Sequence, residues 1–262
     1  MICFNAEDAE SDVRAFRGVK HFIQTSTVST FGCPLPALPT NEDTPLKPDT
    51  DYGVNKVAAD NIFLAAHARG DMPVTVLKPI FIYGLTFYIA RQLGGDKRWI
   101  DRLRRGMPLL VSGDVVITHL HADDAGIPYA AAIDRAACFG QTYIVASPRH
   151  STWHTYHREL ADALGYSAPL VEAPADFLIK AWPDNTRTLA VSHRWHQVMD
   201  VRKLQRDIPE FQPARWITDD IKERLAWAEE NGQIVDARSD DTEDRLIAAV
   251  DRLWGSFNVS RA

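Results

Sequence analysis

Cysteine is scarce in this sequence: Cys3, Cys33 and Cys138 are odd in number and far apart. That argues against a disulfide framework or a cysteine-based metal site, and it reads as reduced thiols in a cytoplasmic protein. No stretch approaches the roughly 18 consecutive apolar residues of a membrane span. Positive charge is not in excess either. The 29 Lys and Arg against 35 Asp and Glu give a net charge of -6, which leaves no basic footprint for nucleic acid. The densest basic cluster, Arg102-Leu103-Arg104-Arg105, reads as a solvated helix face. A G-x-S-x-G elbow is missing, which argues against serine-hydrolase chemistry. The N-terminus lacks a basic start and turns acidic by Glu7, so no signal peptide is expected. There is no internal repeat and no low-complexity segment.

What is present is alternation. Ile2–Asn5, Phe22–Thr25, Val74–Leu77 and Thr142–Ala146 are short apolar or β-branched runs of the kind found in buried parallel strands. Helical stretches lie between them over Asp8–Arg17, Gly53–Ala68 and His121–Ala137. The pattern predicts an α/β layered sheet. In the helix from Gly53, the residues Val54, Ala58, Ile62 and Ala65 form the apolar stripe expected to pack on that sheet. The remainder reads as a second, α-rich lobe. It has helices over Lys97–Arg105 and Thr152–Gly165, the latter closed by its glycine, then two C-terminal helices striped by Ile217, Ile221, Leu225 and Ala228 and by Leu246, Ile247, Val250, Leu253 and Trp254. Asp236–Asp244 reads as an exposed acidic linker.

The chemistry is concentrated in Tyr52-Gly53-Val54-Asn55-Lys56. A Tyr and a Lys four residues apart on a helix share one face. The ammonium would favour phenolate, making the tyrosine a general acid/base nearer neutral pH than its free pKa of about 10. Several histidines invite a metal reading, namely His119/His121 and His154/His157, but neither pair brings further ligands. His121 with Asp124 reads instead as a helix cap. His193 and His196 read as solvated or cleft-lining beside Trp195.

Around the Tyr/Lys pair lie further ordered motifs. Upstream is His21-Phe22-Ile23-Gln24-Thr25-Ser26-Thr27-Val28-Ser29-Thr30-Phe31-Gly32, and downstream Lys78-Pro79-Ile80-Phe81-Ile82-Tyr83-Gly84. His121-Ala122-Asp123-Asp124 matches an H-x-x-D motif. Together these resemble the extended short-chain dehydrogenase/reductases, the NAD-dependent epimerase/dehydratases, from residue 1 to about residue 255. The resemblance implies a partial Rossmann-like parallel sheet over 1–84 with 120–147, and a smaller substrate-binding lobe over 85–119 with 148–262. It makes Thr27, Tyr52 and Lys56 the catalytic residues. Ala6, Thr25, Tyr52, Lys56, Pro79 and Ile80 would meet NAD or NADP, and Ser26, Phe81, Tyr83 and His121 the substrate. Sugar-nucleotide members often carry an arginine four residues before the motif histidine; Ile117 stands there, so a nucleotide-sugar substrate is not expected.

One departure is large. The family's glycine-rich G-x-x-G-x-x-G loop has no counterpart, Gly94-Gly95 being the only glycine pair. Residues 1–6 resemble the family's fourth strand, so the first three strands are expected to be missing. Three readings stay open on sequence alone. The chain is an NAD(P)-dependent oxidoreductase, epimerase or dehydratase acting on a hydroxyl or carbonyl. Alternatively, it is a cofactor-free isomerase, lyase or cyclase using the same Thr-Tyr-Lys site. In the third, it is a non-catalytic binding protein. An open sheet edge at residues 2–5 would also favour a homodimer or other self-association.

Overall fold

The computed structural model describes residues 3–86, 89–95, 97–167 and 169–256. Along the chain the elements are α1 Ala6–Ala15, β1 Phe22–Thr25, α2 Asp51–Ala68, β2 Val74–Pro79, β3 Phe81–Tyr83, α3 Trp99–Arg104, β4 Leu109–Val111, β5 Val116–Ile117 and β6 His119–His121. They continue with α4 Ala122–Ala132, β7 Thr142–Val145, β8 Ser151–Thr152, α5 Trp153–Leu164, β9 Leu170–Glu172, α6 Ala175–Ala181, α7 Arg202–Asp207, α8 Ile221–Glu230 and α9 Thr242–Ser256. None of the described helices is long and apolar enough to cross a membrane.

The chain divides into two compact units. The first comprises 1–84, 118–150 and 196–216, the second 85–117, 151–195 and 217–262. Segment 196–216, which the sequence division groups with residues 148–262, packs in the first unit, where Met199, Val201, Leu204, Ile208 and Phe211 join the core under β7.

In the first unit β1, β2 and β7 form a parallel sheet with β2 central. The central strand is buried along nearly its whole length, which accounts for its unbroken apolar run. One face of β1 packs with α1 and α2 through Phe22, Ala59, Phe63 and Ala66. The outer edge of β7 is closed by side chains: the Ile144 N–H donates to Glu42 at 2.8 Å and Lys203 donates to the Thr142 carbonyl at 3.0 Å. Such cover blunts a strand edge that would otherwise pair with another chain.

Two expectations are corrected in this unit. Of the expected first strand, Met1 and Ile2 lie outside the described residues, Cys3 and Phe4 are not strand, and Asn5 caps α1 by accepting from the Asp8 N–H at 2.8 Å. In α2 the buried face is Gly53, Lys56, Ala59, Asp60, Phe63 and Ala66, whereas Val54 is 51% exposed. The helix is rotated from its apolar stripe because Lys56 and Asp60 find partners inside, and its many alanines leave the pattern little power to resist.

The second unit is held by Leu93, Leu110, Leu178, Trp182, Leu189, Ile247 and Val250. Its polar interior departs from expectation. Arg102 is 1% exposed and Glu243 3%, so one residue of the basic cluster and one of the acidic segment turn inward, while Arg105, Asp236 and Asp241 stay exposed. Arg91 grips Glu243 with two hydrogen bonds of 3.0 and 2.8 Å, Arg102 lies 3.4 Å from the same carboxylate, and the Leu110 N–H donates to it at 2.8 Å. Helix α5 buries Trp153, Tyr156, His157, Leu160 and Ala161 and ends at Gly165, whose φ of +75° suits the left-handed cap.

His157 is buried in this unit, as is His193, against the expectation of a solvated or cleft-lining residue, while His196 is exposed. His157 Nδ1 lies 2.6 Å from the Trp153 carbonyl, and its Nε2 accepts from the Gln92 N–H at 3.4 Å. That pattern fits only a neutral ring protonated on Nδ1. Burial lowers His157 to about 3 and His193 to about 4. Both folded values lie below the unfolded value near 6.5, so their contribution is intact above about pH 6.5 and is lost as pH falls toward 4 and then 3. Each histidine would cost up to about 1.4 kcal/mol per pH unit in that window. We expect denaturant midpoints to drop sharply between about pH 7 and about pH 5; equal midpoints would refute this assignment.

Candidate active site

Strands β1 and β2 run parallel with Thr25 opposite Leu77, so the segments after both leave from one end of the sheet. Ligands of open α/β sheets bind beyond the strands' carboxyl ends. After β1 the Ser26 N–H extends the ladder to the Leu77 carbonyl at 2.7 Å. Thr27 then caps a short 3-10 turn, Val28–Phe31, its Oγ1 accepting from the Ser29 N–H at 3.2 Å. This turn lies against the first turn of α2. A Cβ on Gly53 would stand 2.6 Å from the Ser29 carbonyl oxygen and 2.9 Å from the Pro48 Cβ, so the close approach requires glycine beside Tyr52. Thr50 caps α2, accepting from the Gly53 N–H at 3.1 Å.

This packing brings Thr27, Tyr52 and Lys56 together. The Thr27 hydroxyl donates to Ser29 Oγ at 3.2 Å, and the Thr27 side chain draws the nearby Tyr52 phenol down. The Lys56 ammonium sits 5.8 Å from the Tyr52 ring centre and 5.1 Å from that of Phe4. It donates to the Cys3 carbonyl at 2.6 Å and to the Thr25 carbonyl at 2.9 Å. Tyr52 is 45% exposed and Lys56 only 1%. Burial lowers Lys56 from the usual lysine range, opposed by Asp60. Burial raises the Tyr52 phenol, the nearby Thr27 side chain draws it down, and the Asp60 charge raises it again. The expectation of a lysine-depressed tyrosine is therefore corrected: the ammonium spends its hydrogen bonds on two backbone carbonyls, and the net environment keeps the phenol protonated.

The other sequence-chosen residues divide. Thr25 lies at this strand end, where its side chain also meets the Tyr129 hydroxyl. Pro79 ends β2 and Ile80 follows it, 5% exposed. Ala6 opens α1. Ser26, Tyr83 and His121 are engaged structurally. Ser26 is 2% exposed and donates to Asp60 at 2.6 Å. Tyr83 and His121 are buried opposite one another on β3 and β6, their ring centres 5.2 Å apart. His121 caps α4, accepting from the Asp123 N–H at 3.1 Å, and Asp124 accepts from the Arg215 N–H at 3.0 Å. Phe81 stays half-buried, edge-on to His119. Among the described residues no three His, Cys, Asp or Glu side chains gather as a metal site would require.

Two residues escaped the sequence reading. Asp60 was legible in principle, four positions beyond Lys56 on the same helix face. Phe4, 57% exposed beside the Lys56 ammonium, gave no sequence signal.

The profile of the NAD dependent epimerase/dehydratase family matches residues 12–146, more than half of the chain. The chain belongs to that family. Over 243 residues it is 29% identical to the 2'-dehydrokanamycin reductase of Streptomyces kanamyceticus, covering 90% of this chain and 67% of that protein. Among solved structures it is similar to RMD from Pseudomonas aeruginosa complexed with NADPH, with a TM-score of 0.66 and 20% identity over 86% of this chain and 72% of that one. It is also similar to UDP-glucuronic acid 4-epimerase from Bacillus cereus in complex with NAD, with a TM-score of 0.63 and 15% identity over 86% and 67% of the two chains. The fold is thus Rossmann-like, and the protein is an enzyme of the short-chain dehydrogenase/reductase type, with oxidoreductase, epimerase or dehydratase chemistry.

Members of this epimerase/dehydratase family use NAD(P), and the residues here fit one end of that cofactor. The half-exposed Tyr52 phenol would be open to a nicotinamide ribose, with the buried Lys56 ammonium 5.8 Å from its ring centre. For the pyrophosphate, the described residues hold no glycine-rich turn between a strand and a helix N-terminus.

Proposed function

We propose that the site reduces a carbonyl to a hydroxyl on a sugar-like substrate, with Tyr52 as proton donor. The nearness of the Thr27 side chain and the Lys56 ammonium to the half-exposed Tyr52 phenol carries this reading. A phenol held protonated by burial and by Asp60 is suited to give a proton rather than take one. Thr27 would hydrogen-bond the same carbonyl oxygen and hold it in line with the phenol. As the proton leaves, Lys56 would stabilise the phenolate left behind. A reduced nicotinamide, when bound, supplies the hydride to the carbonyl carbon, and Lys56 and Tyr52 would hold its ribose. The likeness to a reductase over 90% of the chain supports reduction over dehydration.

The test is a titration of the folded 262-residue protein with NADH and with NADPH, followed by nicotinamide fluorescence and thermal shift. Micromolar binding, then cofactor oxidation on adding a panel of keto-sugars, is the expected result. A folded chain that binds neither nucleotide up to millimolar concentration would overturn it and direct attention to cofactor-free acid/base reactions.

A further inference from the structure

Beneath the Thr27 turn lies a buried ion pair that the proton-donor reading uses only through the charge of Asp60. Lys78 donates to Asp60 Oδ2 at 2.6 Å, and both side chains are at most 5% exposed. The pair has two further arms. Ser26 donates to the same Asp60 oxygen at 2.6 Å. Lys78 donates to Thr30 Oγ1 at 3.0 Å, and that hydroxyl donates in turn to the Thr27 carbonyl at 2.9 Å. Ser26, which also accepts from Lys78 at 3.4 Å, and Thr30 thus bracket Thr27 on both sides, both tied to the pair. A buried ion pair is weak evidence for stability, since desolvation consumes much of its attraction and apolar residues of the same volume often serve as well. Its arms reach one turn, and that turn carries the hydroxyl at the Tyr52 phenol. Asp60 is also on the α2 face that carries Lys56.

We propose that Asp60 and Lys78, acting through Ser26 and Thr30, are positioning residues that fix the Thr27 turn so that its hydroxyl meets the Tyr52 phenol. This rests on the proton-donor reading of Tyr52. It assigns a function to two residues that the family motifs alone leave as a helix position and a strand end, and it explains why Ser26 and Thr30 are hydroxyls with almost no exposure.

The test separates positioning from support. The variant Ser26→Ala/Thr30→Val cuts both arms and leaves Asp60, Lys78 and Lys56 charged. In it the Tyr52 titration should move to higher pH, because the Thr27 side chain that draws the phenol down is no longer held beside it. The titration is read from phenolate absorbance as the difference from the same variant carrying Tyr52→Phe, and it needs no substrate. Turnover should fall through kcat, by up to ~10²-fold for a misplacement of about 1 Å, with KM unchanged. Thr30→Ser, which keeps the hydroxyl, should restore both readouts when combined with native Ser26. A folded variant with a lowered Tm but a native Tyr52 titration and native kcat would overturn the proposal and leave the pair purely structural. If the double variant does not fold, Thr30→Val alone carries the same two readouts with the same expected directions. Should Tyr52→Phe itself keep full turnover, the proton-donor reading fails, whereas the titration shift still reports whether the turn is held by the pair.

Discussion

Replacing Tyr52 with Phe is expected to lower turnover by ~10²–10⁴-fold, the usual worth of a positioned general acid, with little change in stability. The ring is 45% exposed, so the variant deletes one hydroxyl without opening the core. The hydroxyl lost is the one near the Thr27 side chain and the Lys56 ammonium. The rate is followed as NADPH or NADH oxidation on the best keto-sugar of the panel, with circular dichroism to verify the fold. A Tyr52→Phe enzyme that keeps its rate would remove the phenol from the mechanism. Because burial and Asp60 hold the phenol protonated, the native enzyme should keep its reductive activity through neutral pH and lose it at alkaline pH as the phenol ionises.

The largest expected loss of stability comes from Glu243→Gln. Arg91 is 1% exposed and shares the Glu243 carboxylate with Arg102, which is equally buried. Removing the charge leaves Arg91 with a carbonyl partner at Leu110, and Arg102 with Asp244 and the Pro108 carbonyl. Breaking one side of a buried pair costs about 3–5 kcal/mol. Denaturant unfolding read by tryptophan fluorescence measures it. A loss below about 1 kcal/mol, the range of a surface pair, would mean that the network is solvated in solution.

Several elements were legible in the residues themselves. β1 and β2 begin as expected, at Phe22 and Val74, because short β-branched runs between turn residues have few other structures open to them. The end of α5 at Gly165 was legible for the same local reason, a residue that adopts positive φ without a Cβ clash. Spacing put Tyr52 and Lys56 on neighbouring turns of a helix, and the family resemblance put Thr27 at a strand end. It did not say how α2 rolls on the sheet, nor that Phe4 stands over the ammonium. The acidic run near Glu243 read as solvent-facing because the buried partners of Glu243, Arg91 and Arg102, lie far along the chain, while the local Arg238 and Arg245 pair with Asp236 and Asp241.

What the sequence determined by itself is the strand–helix alternation, the family, and which three residues are candidates for proton transfer. Those rest on periodicity, capping and short motifs, all written within one element or one turn of chain. The tertiary structure decided the protonation bias of Tyr52, the inward face of α2 and the burial of Arg102 and Glu243. The inward face of α2 and the burial of Arg102 and Glu243 depend on partners far along the chain, as Lys56 meets Cys3 across 53 positions and Arg91 meets Glu243 across 152. Charge and polarity state that a side chain needs a partner or water; only the packed chain says which of the two it receives.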